Sequence, residues 1–185
     1  MQNVTNCNSM FYNCFSIKSL NSSGWNMQKV TTARDMFCNC RSLASIDTES
    51  WNMPALSDAY DMFTACSNLK MLNLSNCGMN NVTSFEWFAG NCVNLENLNC
   101  QDWIVSSATK MNNMFYGNGR LKNAYLSGWT FGDNLSSTAS MFAYNNSLKN
   151  IDTRGWNFKC TSTTNSMFFQ CYSLISIDVS NWDVS

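Results

Sequence analysis

Residues 167–185 read MFFQCYSLISIDVSNWDVS, and this pattern returns along the whole chain of 185 residues. Six copies contain the dipeptide Met-Phe, and Phe88-Ala89 fills the one gap in the series. The dipeptides begin at Met10, Met36, Met62, Met114, Met141 and Met167. Successive copies are 26 residues apart, except for one interval of 27 that places an extra residue near Gly132-Asp133. Such a period predicts a solenoid, in which each unit buries its apolar face against its neighbours.

Each unit is predicted to contain one short helix and one short strand. Counting from the first residue of the dipeptide as position 0, apolar or small residues occupy −3, 0, +1 and +4, which is the stripe of a short helix. A hydroxyl residue stands at −5 in every unit, where it would cap that helix. Positions +10 and +12 alternate with polar residues, as in a strand with one buried face. The expected fold is an α/β solenoid of about seven repeats, whose stacked strands form a parallel sheet.

The ten cysteines are interpreted as structural. Half of them share position +4 with two asparagines: Cys14, Cys40, Cys66, Cys92, Asn118, Asn145 and Cys171. Their interchange with asparagine predicts a column of buried donors that satisfy backbone carbonyl groups along the stack. Parallel side chains one repeat apart do not point at each other, which argues against disulfides. The pair Cys38-x-Cys40 is weak evidence for a metal site.

The tryptophans are predicted to belong to the core. Six of the seven stand at +15, just past the strand: Trp25, Trp51, Trp103, Trp129, Trp156 and Trp182. A fixed column between inward positions argues against an exposed sugar-binding platform of aromatic rings. Trp87 is the exception and is expected on the outer helix, more exposed than the others.

Composition excludes several functions. Charged residues make up 12% of the chain and the net charge is −1, so no basic stripe for nucleic acid is available. Histidine is absent from the sequence, which excludes catalysis and metal binding by that residue. The sequence contains no run of 18 or more apolar residues, so no membrane-spanning segment is predicted. The chain is therefore predicted not to be an enzyme and not to bind a cofactor or a metal ion.

The repeats resemble a known family. Met-Phe-x-x-Cys-x-x-Leu-x-x-Leu, followed by Ser-x-Trp and Val-Thr, is similar to BspA-like leucine-rich repeats, and residues 167–185 form the clearest copy. The resemblance covers essentially the whole chain, with departures at Cys77-Gly78, at Phe88-Ala89 and at the two asparagines of position +4. It implies a curved leucine-rich horseshoe that binds partners and lies on a cell surface or is secreted, as part of a bacterial or protist adhesin.

The binding face is expected on the outward side of the strands. Side chains at +9 and +11 should point away from the core, onto the concave side of the horseshoe. The candidate partner-binding residues are Met71, Asn73, Asn97, Asn99, Asn123, Tyr125 and Asp152. The expected partner is a protein or a glycan on another surface.

Alternative interpretations remain open. The chain could be a structural or receptor-contacting component of a larger assembly, such as a phage or virus particle. The hydroxyl column at −5 also resembles an ice-binding array, although capping is preferred because serines interrupt the threonines. Residues 1–185 are expected to form a single solenoid that is a segment of a longer array. Neighbouring repeats or a capping partner would then cover both ends.

Overall fold

The chain coils into a parallel β-solenoid in a computed structural model, which describes residues 2–160 and 162–183. The strands are β1 Ser19–Leu20, β2 Ser45–Ile46, β3 Met71–Asn73, β4 Asn97–Asn99, β5 Ile104–Val105, β6 Asn123–Tyr125, β7 Thr130–Phe131 and β8 Asn150–Asp152. β1 pairs with β2, β3-β4-β6-β8 form one sheet, and β5 pairs with β7. β1, β2, β3, β4, β6 and β8 stand at equivalent repeat positions and form the main column, and β5 and β7 form a second column. Isolated parallel bridges, beginning with that between Asn6 and Thr32, form a third. The predicted solenoid with parallel strands is thus confirmed.

The main column of strands follows the predicted alternation. Leu72, Leu98 and Ala124 lie in register at +10 and are buried. The register changes from 26 to 27 residues where Asn123 pairs with Asn150. Thr130 and Phe131 still pair at the shorter interval. The extra residue therefore lies in the turn that follows β7, as the sequence predicts.

The predicted helices are wrong: residues 2–160 and 162–183 contain no α-helix. Each expected helix is instead a pair of tight turns, because residues at −1 and +3 have left-handed backbone angles, such as Asp35 at φ 55° and Asn39 at φ 62°. The amide of Met36 bonds locally to the carbonyl of Ala33, whereas the amide of Phe37 bonds to Met62 in the next turn. A helix needs an unbroken local series of such bonds. The apolar stripe reflects two four-residue turns.

Helix capping by the hydroxyl column at −5 is wrong for the same reason. These side chains bond from turn to turn instead. The Thr31 hydroxyl donates to the carbonyl oxygen of Thr5 at 3.0 Å, and the Ser57 hydroxyl donates to that of Thr31 at 2.9 Å. The ladder continues through Thr83, Thr109 and Ser136. A regular hydroxyl column on this solenoid therefore satisfies backbone carbonyl groups.

The regular stack is shorter than the expected seven repeats. Six strands occupy the main column, and they span about five turns. The seventh unit should place a strand at residues 176–178, but the described chain has none there. Thr153 still donates a hydrogen bond to the carbonyl of Asp178 at 3.0 Å. A single side-chain contact of this kind does not supply the backbone ladder that defines a strand. Residues 184 and 185, which close the repeat copy quoted first, lie outside the described residues.

The donor column at +4 is confirmed for six of its seven residues, all except Cys14. The Cys66 thiol donates to the carbonyl oxygen of Phe37 at 3.3 Å, and the Asn118 amide donates to that of Ala89 at 3.0 Å. Cys40, Cys92, Asn145 and Cys171 make the equivalent contact one turn back. All ten cysteines are free thiols. Burial raises the pKa of the Cys40 thiol to about 11, so it stays protonated and can donate at neutral pH.

Replacing Cys66 separates its donor role from simple packing. Cys66→Asn is expected to be nearly neutral, because Asn118 and Asn145 fill the same position. Cys66→Leu is expected to lower the free energy of unfolding by about 1–3 kcal/mol, through overpacking and the loss of one of the two donors to the Phe37 carbonyl, which keeps only the Cys40 amide. Denaturant melts of the two variants test this, and equal stability would exclude the donor role. Eight of the ten thiols are buried, all except those of Cys14 and Cys171, so ready labelling of all ten in the native protein would contradict the structure.

Candidate functional site

The seven candidate residues lie together on one surface, which we call the outer sheet face. It comprises the outward side chains of β3, β4, β6 and β8. Met71 is in register with Asn97 and Asn123 along one column. The neighbouring column holds Asn73, Asn99, Tyr125 and Asp152. The structure thus brings together all the residues that the alternation of the strands predicted.

A ladder of side-chain amides crosses this face. The Asn123 amide donates to the side-chain oxygen of Asn97 at 2.9 Å, and Asn150 donates to Asn123 at 3.0 Å. Each bond joins neighbouring turns, so the amides fix one another. The ladder therefore uses part of their bonding capacity within the stack. The face therefore presents an ordered row of amides.

The second column contains a structural motif that the sequence analysis missed. At +11, the side-chain oxygen accepts a hydrogen bond from the backbone amide two residues later, which is an Asx turn. Asn99 accepts in this way from Gln101 at 3.2 Å, and Asp152 accepts from Arg154 at 3.2 Å. Asn21, Asp47, Asn73 and Asp178 do the same. The signal in the sequence is the restriction of this position to asparagine and aspartate.

Tyr125 is the exception in that column. Its side chain has no oxygen that could close an Asx turn two residues later. It is 43% exposed, and it stands in register between Asn99 and Asp152. The chain has thus replaced a recurrent structural residue by an aromatic side chain that faces solvent.

Met71 and Tyr125 border an open depression in the middle of the face. Its volume is about 270 Å³, and its lining consists of Met71, Asn73, Asn97, Asn99 and Tyr125. Met71 is 62% exposed, although methionine is among the residues most often buried. The depression therefore combines two apolar contacts with amides that accept and donate hydrogen bonds.

The charge of the outer sheet face lies beside the depression. Asp152 receives two hydrogen bonds of 2.8 Å from the guanidinium group of Arg154. These bonds hold the pKa of the Asp152 carboxyl below its usual range, and the ion pair neutralises its charge. The depression itself has no charged lining residue. Binding there would depend on contact and hydrogen bonding, with little dependence on salt.

Two features are absent from the part of the chain that the structure describes. Residues 2–160 and 162–183 hold no group of three or more histidine, cysteine, aspartate or glutamate side chains that could bind a metal ion. The same part of the chain has no helix long and apolar enough to cross a membrane.

Comparison with known proteins identifies one family. Its model is described as "Mycoplasma protein of unknown function, DUF285", and it matches residues 1–97 and 83–185. The two matched regions overlap and together cover the chain, as expected for a repeat family. No curated protein matches the sequence.

Proposed function

The chain belongs to the DUF285 family, and on that premise we propose that it is a non-catalytic interaction module that binds a macromolecular partner through the outer sheet face. Tyr125 carries this proposal. Six of the seven repeat units place an Asx-turn residue at its position. The unit of Tyr125 has an exposed aromatic ring in place of that bond, and exposed tyrosines often anchor interfaces.

We further propose that the repeats are of the BspA-like leucine-rich class, and that the protein acts in adhesion at the cell surface or after secretion. The pattern Met-Phe-x-x-Cys-x-x-Leu supports the class, and the rigid row of amides beside Met71 and Tyr125 supports recognition of a surface. A role in a larger assembly, such as a virus particle, is the alternative, because such a role would use the same stacked scaffold.

Tyr125→Asn tests the proposal without disturbing the scaffold. The substitution supplies the side-chain oxygen that the column normally uses, so the unfolding curve should stay unchanged or shift to higher denaturant. Binding of the labelled chain to intact animal cells should weaken by at least about 1 kcal/mol, the usual threshold for an important interface residue. Flow cytometry over a range of protein concentrations measures this difference.

Tyr172→Asn is the matched control. Tyr172 is 74% exposed but lies outside the outer sheet face, so its loss should not alter binding to cells. If Tyr125→Asn binds as well as the unaltered protein does, the outer sheet face is not the binding site. If both variants weaken binding equally, the effect reflects exposed tyrosine in general.

A further inference from the structure

A second group of aromatic side chains lies on the tight-turn segments, away from the outer sheet face. We call it the aromatic strip, and it consists of Trp87, Tyr116, Tyr144 and Phe169. Neighbouring ring centroids are 5.2, 5.0 and 5.4 Å apart. Each ring comes from a successive turn of the solenoid, so the strip advances along the stack with one ring per turn.

The rings of the strip are open to solvent. Tyr144 is 37% and Phe169 is 48% exposed, and Trp87 and Tyr116 are half-buried. The strip therefore differs from the tryptophan column at +15, whose central members are buried in the core.

Two of the four rings occupy unfavourable backbone positions. Trp87 has φ 58° and Tyr144 has φ 63°, in the left-handed region where bulky side chains are rarely found. Equivalent residues of other turns suit this conformation better, such as Asn113 at the Trp87 position and Gly117 at the Tyr144 position. The chain keeps two aromatic rings where asparagine or glycine would be less strained. Strained residues of this kind often cluster at functional sites.

Gly90 is matched to the tryptophan ring. A Cβ atom at Gly90 would lie 2.8 Å from Cε3 of Trp87, which is too close for a real contact. Its backbone is not left-handed, so space for the ring is what this glycine provides. Trp87 at −1 and Gly90 at +2 thus depart from the other repeats together, and the glycine leaves space for the tryptophan ring.

The segments around three of the four rings favour a neutral ligand, and Glu86 adjoins Trp87 at the other end of the strip. Residues 111–119, 134–148 and 160–177, which contain the three rings after Trp87, include no charged residue. Serine, threonine, asparagine and glutamine fill much of these segments. An anionic polymer would find no cation there, and a protein partner of ordinary stability would need a contact area far wider than one row of rings. Neighbouring rings of the strip are inclined to one another by 61°, 57° and 76°, so they form a stepped apolar row. A linear chain of neutral sugar rings offers apolar ring faces and hydroxyl groups at a regular repeat, which can pack along such a row.

We propose that the aromatic strip is a binding site for a neutral linear polysaccharide, which lies along the solenoid axis and packs its sugar rings on Trp87, Tyr116, Tyr144 and Phe169. The proposal is independent of the outer sheet face. It needs only the exposed rings and the hydrogen-bonding groups beside them.

Affinity electrophoresis in native gels tests this site, with mixed-linkage β-glucan, galactomannan and dextran as neutral probes and heparin as the anionic probe. The chain is expected to be retarded by at least one neutral polysaccharide and to keep that retardation at high salt. Trp87→Asn and Tyr144→Asn should each weaken it at least about tenfold, as expected for aromatic anchors. Both substitutions introduce residues that suit the left-handed backbone, so the variants should keep the native unfolding curve.

Tyr12→Ala is the matched control, because Tyr12 is an exposed tyrosine at the same repeat position as Tyr116 but lies outside the strip. Its retardation should equal that of the unaltered protein, and so should that of Tyr125→Asn. No retardation by any neutral probe, or undiminished retardation of folded Trp87→Asn and Tyr144→Asn, would overturn the proposal. The proposal would also be overturned if the two variants bound less well to cell-surface protein while no form of the chain bound a polysaccharide. That result would assign the strip to a protein partner.

Discussion

Trp103→Ala is expected to lower the free energy of unfolding by about 3–5 kcal/mol, the range measured for truncating a large buried aromatic side chain. The ring stacks on Trp129 and on Phe85, with centroids 5.5 Å away in both cases. Its indole nitrogen donates to the carbonyl oxygen of Leu74 at 2.7 Å. Alanine would leave a cavity between two turns and would remove the shorter of the two hydrogen bonds to the Leu74 carbonyl, which keeps the Cys77 amide at 3.3 Å. A urea titration followed by circular dichroism measures the loss.

Trp25→Ala is the control for Trp103→Ala. Trp25 belongs to the same column, but it is half-buried and stacks on one column neighbour, Trp51, at 6.1 Å. Its truncation should cost less than half as much, because less surface is buried and the cavity is open to solvent. Equal losses of stability in the two variants would mean that burial within the stack does not determine how much each tryptophan of this column stabilises the protein.

Gly132→Ala is expected to destabilise the protein by about 3 kcal/mol, at the upper end of the usual cost of overpacking. An added Cβ atom would lie 2.1 Å from the carbonyl oxygen of Ser106 in the preceding turn. Neighbouring atoms of that residue are backbone, so they cannot rotate away. Thermal and chemical unfolding of the variant test the expectation.

Gly119→Ala provides the matched comparison. No atom lies within 4 Å of a Cβ atom added there, so the same chemical change should be neutral or slightly stabilising. If Gly132→Ala were as stable as Gly119→Ala, the close approach of the two turns at residue 132 would be wrong.

The sequence predicts the columns of this protein better than the elements that join them. A side chain that repeats every 26 residues must meet its equivalents in any stacked fold, so the +4 donors and the +15 rings could be assigned without knowing the backbone. The backbone between −3 and +4 could not, because an apolar stripe fits both a helix and two tight turns. Asn, Asp, Ser and Gly at −1 and +3 carry the distinguishing signal, since these residues favour turns and tolerate left-handed angles.

The sequence alone could not explain the departures from the repeat in the middle of the chain. Cys77 stands where other turns have a tryptophan, and Phe88-Ala89 stands for Met-Phe. Phe88 packs 5.6 Å from Phe63 of the preceding unit, and Phe85 stacks on Trp103 of its own unit. The two phenylalanines keep the aromatic core continuous across the exceptional turn. A column by column comparison treats these positions as separate departures and cannot show that they compensate in space.

The candidate surfaces were predictable to different degrees. Alternation along the strands placed Met71 and Tyr125 on one face, and their register follows from the period. The aromatic strip escaped prediction because its rings come from different repeat positions. Trp87 is at −1, Tyr116 at +2 and Tyr144 at +3. Only the fold of the tight turns brings such positions into one row.

The turn-to-turn bonds of the double-turn segment have a consequence for how genes of this kind can change. Since Phe37 bonds to Met62 as Phe63 bonds to Phe88, recombination that removes or duplicates one whole unit rejoins equivalent donors and acceptors. Length variation by complete units is therefore structurally permissible, whereas any other insertion must be absorbed at a corner. The segment after β7 shows that one additional residue can be absorbed, at a glycine that leaves room for the neighbouring turn. A lineage could thus alter the reach of its array in discrete steps while every surviving ladder is preserved.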